Sequence, residues 1–184
     1  MIDVLMTSGF GQFHSNELDI NKPNKKLTPY VTIGWSDIRV LVDNPQQVEK
    51  THAQWLIPST LPSRCFKTQE ELGEFLMLWA DLDDHPPTLP DLAEKLEEII
   101  DDADFELYNS RSATVENQKA RLLIPLEKPL SGTNWILAQE VLNDKLEAFG
   151  IKPDRATERA AQLCYLPNRG AFYCRLSKRN GVVI

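Results

Sequence analysis

Three observations predict an α+β fold. An apolar run, Phe75–Ala80, stops abruptly at Asp81-Leu-Asp83-Asp84, the text of a buried strand ending at a charged edge. Two segments of helical period, 90–102 and 133–149, each follow a capping signature. Short strand-like runs separate them, so that 75–167 reads β-α-β-β-α-β. That order is ferredoxin-like (RRM-like), an antiparallel sheet with two helices on one face. Residues 1–74 read as an N-terminal accessory α/β layer, and 168–184 as a basic tail or linker.

The elements follow in order. Residues 1–28 are turn-rich and polar, as in Asn21-Lys22-Pro23-Asn24, and are assigned no element. Tyr30–Ile33 and Ile38–Leu41 read as strand text broken by a turn. Asp43-Asn44-Pro45 reads as the start of a short helix to about Ala53. Trp55–Pro58 is a brief strand, and Thr68 caps a short helix with Glu71 as its box partner. Strand 75–82 leads through Thr88-Leu-Pro-Asp91 into a helix with Leu92, Leu96, Ile99 and Ile100 on one face. Phe105–Tyr108 is a strand, 109–120 a polar hairpin-like link, and Arg121–Leu126 a strand ended by proline. Ser131 caps the long helix, which turns Trp135, Leu142, Leu146 and Phe149 inward and stops at Gly150. Gln162–Pro167 supplies the last strand. In this topology strands 75–82 and 121–126 lie side by side at the sheet centre.

Composition narrows the class. With 42% hydrophobic and 26% charged residues, the chain can bury an ordinary core. No run approaches the ~18 apolar residues of a membrane span, and no signal-peptide pattern is seen. Cys65, Cys164 and Cys174 are odd in number and lack C-x-x-C spacing, which argues against a disulfide scaffold or a zinc ribbon. A cytoplasmic protein with reduced thiols is expected. The apolar end, Gly181-Val-Val-Ile184, suggests a piece of a larger protein. The net charge of −7 is unevenly spread. Residues 81–106 hold eleven acids against one lysine, whereas 107–184 hold twelve Lys and Arg against seven acids. Much of the acid reads as the solvated face of the first helix, Glu94 to Asp102.

The chemistry lies at the end of strand 75–82. Asp81 and Asp83 are two apart, so on an extended chain they point to one side, a hard-oxygen site for Mg²⁺ or Mn²⁺. Turn and cap chemistry explains one or two such Asp, but a D-x-D-D after a strand less well. The link Asn109-Ser-Arg-Ser-Ala-Thr114, with Lys119 and Arg121, offers hydroxyls and cations for phosphates. His85 reads as a turn residue, and Asp154 as either solvated or metal-binding. Arg169, Arg175, Lys178 and Arg179, with Phe172 and Tyr173 among them, could grip a single strand by phosphate contacts and stacking.

Taken together, Asp81-x-Asp83-Asp84, Tyr108-x-Ser-x-Ser-x-Thr114, Lys119-x-Arg121-Leu-Leu-Ile-Pro-Leu126, Trp135, Asp154 and Cys164-Tyr-Leu-Pro-Asn168 resemble the archaeo-eukaryotic primase superfamily. The likeness covers about residues 50–170 and points to primase or primase-polymerase domains of plasmid and phage replication proteins. It implies a DNA-replication nucleotidyltransferase using Mg²⁺ or Mn²⁺. Asp81, Asp83 and Asp154 would hold two ions, and Ser110, Arg111, Ser112, Lys119 and Arg121 the triphosphate. Its partners would be a single-stranded DNA template, nucleoside triphosphates and a helicase or other replication domain. The family's second motif usually ends in Ser-x-His. Here Ala113 or Arg111 stands in that place, which questions polymerisation rather than fold. Two alternatives follow: an inactive primase fold that binds nucleic acid or a replication partner, and a haloacid-dehalogenase-like phosphatase. The latter wants Thr where His85 stands, on a parallel sheet.

Overall fold

The structure is a computed structural model and describes residues 4–11 and 30–184. Asn21–Asn24 and His14 lie outside the described residues. Two antiparallel four-stranded sheets form the frame. The first has the order β2 (Val31–Ile33), β1 (Met6–Phe10), β3 (Gln54–Ile57), β7 (Cys164–Tyr165). The second has the order β4 (Glu74–Leu82), β6 (Ala120–Ser131), β5 (Phe105–Asn109), β8 (Arg175–Lys178). Helices α1 (Trp35–Asp43), α2 (Phe66–Leu72), α3 (Leu89–Ile100) and α4 (Gly132–Ala148) pack around them. No helix among the described residues is long and apolar enough to cross a membrane.

The strongly patterned elements form as their sequence dictates. Thr88 caps α3 by accepting from the Asp91 N–H, and Ser131 caps α4 by accepting from the Asn134 N–H. Leu92, Leu96 and Ile99 are buried, while the acids from Glu94 to Asp102 face outward. Trp135 is buried against Phe75, with ring centroids 4.4 Å apart, and its Nε1 donates to Met77 O at 2.8 Å. Strands β4 and β6 are adjacent and antiparallel, with Asp81 opposite Arg121.

Five local expectations are corrected. Met6–Phe10 is a strand, although its text carries no alternation. Ile38–Leu41 is helical: Ile38 and Val42, four apart, are buried and Val40 is exposed, so tertiary packing overrides β-branched propensity. Asn44 closes that helix, donating its N–H to Val40 O at 2.8 Å, and no helix follows to Ala53. The cap of α2 is Cys65 rather than Thr68. Strand β6 also runs through Pro125 to Ser131, because Pro125 lies at a register shift where β6 bulges between its Met77–Pro125 and Phe75–Leu130 pairs.

The ferredoxin-like arrangement is met in three strands only. The order β4-β6-β5 has the expected neighbours, but β4 is an edge rather than a centre strand. Its outward groups are taken by side chains and a turn. Trp79 N–H donates to Gln139 Oε1, Gln139 Nε2 donates to Trp79 O, and Asp154 N–H donates to Asp81 O. The strand expected there, 162–167, shrinks to Cys164–Tyr165 and pairs with β3 in the other sheet. All pairings between named strands are antiparallel, so the parallel sheet of a haloacid-dehalogenase-like phosphatase is absent among the described residues.

The segment 175–178 is not a free tail but the fourth strand of the second sheet, paired with β5. Its cations are engaged. Arg175 and Arg179 reach Asp43 at 2.9 and 3.0 Å, Lys178 reaches Asp102 at 2.9 Å, and Arg179 reaches the buried Glu106 at 2.8 Å. Arg39 of α1 joins Glu106 at 3.3 Å and Asp104 at 2.8 Å. Glu106 is fully buried and needs these partners. Arg179→Ala should therefore lower the unfolding free energy by about 2 kcal/mol in a urea melt, below the full effect of breaking a buried pair because Arg39 remains. A loss under about 0.5 kcal/mol, the range of a neutral surface change, would remove the strand from the folding unit.

Candidate active site

One rung of the second sheet carries Asp81, Arg121, Tyr108 and Arg175 across its four strands. Directly paired residues share a face, so the first three side chains gather where β4, β6 and β5 meet the first sheet. Arg121 Nη2 donates to Asp81 Oδ2 at 3.2 Å, and Arg121 Nη1 donates to Tyr165 O at 3.2 Å. Tyr108 Oη donates to the same carbonyl at 2.8 Å. The two sheets are thus joined at Tyr165, on the floor of a cleft of about 950 Å³.

The cleft has two walls. Asp81, Asp83, Arg121 and the Ser110–Ser112 turn form one; Lys50 and the Arg64–Phe66 segment form the other, with Tyr165 between them. Among the described residues its charged lining is four cations (Lys50, Arg64, Arg111, Arg121) against two acids, although the whole chain carries −7. Such a lining favours a polyanion. The 110–113 turn is closed by Ala113 N–H donating to Ser110 O at 3.0 Å. Gly170 fixes its position: a Cβ there would lie 1.9 Å from Arg111 O, so only glycine permits the approach. Arg111 also binds Glu49 at 2.6 Å, bridging the walls.

Burial is the largest influence on Asp81 and holds its carboxyl above the ordinary 3.8. Arg121 opposes that rise, and the charges of Asp83 and Asp154 add to it. Asp81 Oδ1 is buried without a hydrogen-bond partner among the described residues, a costly state for an acceptor. Burial likewise pushes Tyr108 well above its usual range, keeping it a donor, and the buried Cys164 up to about 12, keeping it a thiol.

The sequence-predicted residues fall into three places. Asp81, Asp83, Ser110, Arg111, Ser112 and Arg121 line the cleft. Lys119 stands behind it, 3.4 Å from Asp83, and Asp154 begins a 3₁₀ turn (Arg155–Glu158) with its N–H on Asp81 O and its Oδ1 accepting from Ala156 N–H. Arg175, Lys178 and Arg179 sit on β8 and its exit, while Arg169 is exposed beside Arg111, which donates to its carbonyl at 3.4 Å. His85 occupies the turn with φ +46°. Lys50, Arg64 and Tyr165 were not legible as site residues, since lone cations and a lone tyrosine in loop or short-strand text carry no local signal.

No group of three or more His, Cys, Asp or Glu able to hold a metal forms among the described residues. Mg²⁺, however, is commonly held by one or two carboxylates, with phosphates and water completing its shell. The orphaned Asp81 Oδ1, with Asp83 on the same cleft wall, fits that mode.

No family model and no curated protein matches the sequence. Among solved structures, the chain is similar to the AEP domain of the primase-polymerase (PrimPol) of cyanophage S-2L. The TM-score is 0.52 at 8% sequence identity, over 99% of this chain and 85% of that one. The chain has a primase-polymerase fold. At that identity the likeness speaks for architecture alone, with both sheets included in the overlap.

The raised carboxyl of Asp81 sets a pH dependence. The folded state holds the Asp81 proton more tightly than the unfolded chain, so this contribution to stability is complete below about pH 3.8 and is lost as pH rises through the folded value. Asp81→Asn removes the titration. The stability of wild type minus that of Asp81→Asn should therefore fall between pH 4 and 7 in metal-free buffer, measured by chemical denaturation. A difference that rises over this window would mean that Arg121 outweighs burial.

Proposed function

We propose that this domain is a primase-type nucleotidyltransferase that extends a nucleic-acid strand on a single-stranded DNA template, using nucleoside triphosphates and Mg²⁺ or Mn²⁺. One observation carries the reading: on a primase-polymerase fold, Asp81 and Asp83 end a strand inside a cleft whose lining is otherwise cationic. Asp81 and Asp83, with Asp154 as the third acid, would hold the divalent ions. When bound, such ions lower the pKa of a 3′-hydroxyl and offset charge on the leaving pyrophosphate.

The chain's own residues supply the rest. Arg121 orients Asp81 and balances its charge until an ion does so. Ser110 and Ser112, whose hydroxyls lie 3.4 Å apart, present donors to phosphate oxygens. Lys119 offsets Asp83 from behind. Lys50 and Arg64 bind the polyphosphate from the wall opposite the acids, and Arg111 from the turn beside them. Of the two residues in the place of the family's histidine, Ala113 is buried and Arg111 lines the cleft, so Arg111 takes that contact here. A plasmid or phage replication protein, with a helicase or other replication domain as partner, is the setting this activity suits.

The second reading is a primase fold without catalysis that binds nucleic acid or a replication partner. The pairing of Asp81 with Arg121 favours it, since the guanidinium already neutralises the first acid. Two experiments separate the readings. Mn²⁺ at roughly 100 times its Kd should stabilise the wild type by about 2.7 kcal/mol, a rise of roughly 5–10 °C in Tm for a chain this size. Asp81→Asn with Asp83→Asn should abolish that rise while leaving the protein folded; an unchanged rise would sink the metal assignment. In the second, divalent-dependent incorporation of labelled nucleotides on single-stranded DNA should be present in wild type and absent in the double variant. Arg111→Ala should raise the KM for nucleotide about tenfold, as expected for one lost charge-assisted hydrogen bond. Template binding without incorporation in either ion would instead establish the inactive domain.

A further inference from the structure

Two amides stand at inward positions of α4, among Trp135, Leu142 and Leu146. Gln139 and Asn143 are both fully buried and lie four residues apart, on one helix face. A buried amide in an apolar helix face is costly unless every polar atom is used. Gln139 brackets the Trp79 peptide, accepting from its N–H at 3.1 Å and donating to its carbonyl at 2.7 Å. Its Nε2 also approaches Asn143 Oδ1 at 3.5 Å. Asn143 Nδ2 donates to Thr157 Oγ1 at 3.2 Å and to Glu158 Oε1 at 3.0 Å. Thr157 Oγ1 donates to Asp154 O at 2.9 Å, and Asp154 N–H donates to Asp81 O at 2.8 Å. Asp81 lies two residues beyond Trp79 on the same strand, so the hydrogen bonds form a closed ring.

We propose that Gln139, Asn143 and Thr157 are positioning residues that hold the turn of Asp154 against the end of β4, and so fix the strand end that presents Asp81, with Asp83, to a divalent ion. The inference rests on the metal reading given above. Covering a strand edge would need only the bracket at Trp79. The extension through Asn143 and Thr157 has a different end point, the backbone of Asp154. Thr157 is the member on which the ring turns: it is buried, and its one hydroxyl serves both Asn143 and Asp154. Groups that orient a metal ligand from behind commonly change metal affinity by 10–100-fold when removed.

Thr157→Val keeps the branched shape and deletes the hydroxyl, while Thr157→Ser keeps the hydroxyl. Mn²⁺ affinity, read from thermal-shift titration and from the electron-spin signal of free Mn²⁺, should fall at least about tenfold in Thr157→Val and stay near wild type in Thr157→Ser. Hydrogen exchange should show the Asp154 amide protected in wild type and Thr157→Ser and exposed in Thr157→Val. Unchanged Mn²⁺ affinity in a Thr157→Val protein of lower Tm would overturn the proposal and leave the ring a clamp on the strand edge. A protected Asp154 amide in Thr157→Val would overturn it as well. Absence of Mn²⁺ binding by wild type would overturn the metal reading itself, with the exchange result then showing separately whether the ring positions Asp154.

Discussion

The Arg121 guanidinium is the contact on which the cleft depends. It is a permanent cation on an interior strand, largely withdrawn from water, with a side-chain exposure of 14%. A buried cation persists only with good partners. One is Asp81 on the neighbouring strand, and the other is the Tyr165 carbonyl of the opposite sheet, shared with the Tyr108 hydroxyl. The same side chain therefore fixes the first acid and the distance between the sheets. Among the described residues the arrangement is not fully satisfied: Asp81 Oδ1 and Arg121 Nε are buried without partners. Unpaired polar atoms of this kind are rare in folded proteins, and a bound ion or ligand is one way of completing them.

Charge is sorted by surface. The acids of α3 lie on a solvated helix face, and those at Asp43, Asp104 and Glu106 are matched by Arg39, Arg175 and Arg179. Neither group faces the cleft, whose lining is net positive. An acidic protein thus offers a polyanion a local positive field, and the low-dielectric walls of a cleft concentrate such a field.

Much of the frame was legible because several segments carry redundant signals. Strand β4, α3 and α4 each combine periodicity with a cap or a charged stop, and local preference agrees with tertiary role. The misreadings have particular causes. Ile38–Leu41 is β-branched text that burial at i and i+4 turns into a helix. Cys164–Tyr165 has strand character, but which sheet it joins depends on Trp55 and Leu56, more than a hundred residues earlier. The last strand hid behind its charges, since Arg175, Lys178 and Arg179 look like a solvated tail until Asp43 and Glu106 come within reach. In the site, the acids stood out at a strand end, whereas Lys50 and Arg64 enter from loops. Gln139 and Asn143 left a readable trace, as amides at inward positions of an amphipathic helix.

The pairing of β8 with β5 has a consequence for the order of folding. Strands β5 and β6 are joined by the local link 110–119 and can meet early, because closing it costs less chain entropy than bringing in a distant strand. Strand β8 reaches Phe105–Tyr108 from about seventy residues downstream. Until it arrives, the Glu106 carboxylate has Arg39 at most and lacks Arg179, which leaves one face of the young sheet partly wet. Docking of β8 is then the late step that dries it. Contacts made after the main barrier affect chiefly the rate of unfolding, so the Arg179–Glu106 lock governs how long the folded state lasts more than how quickly it is reached.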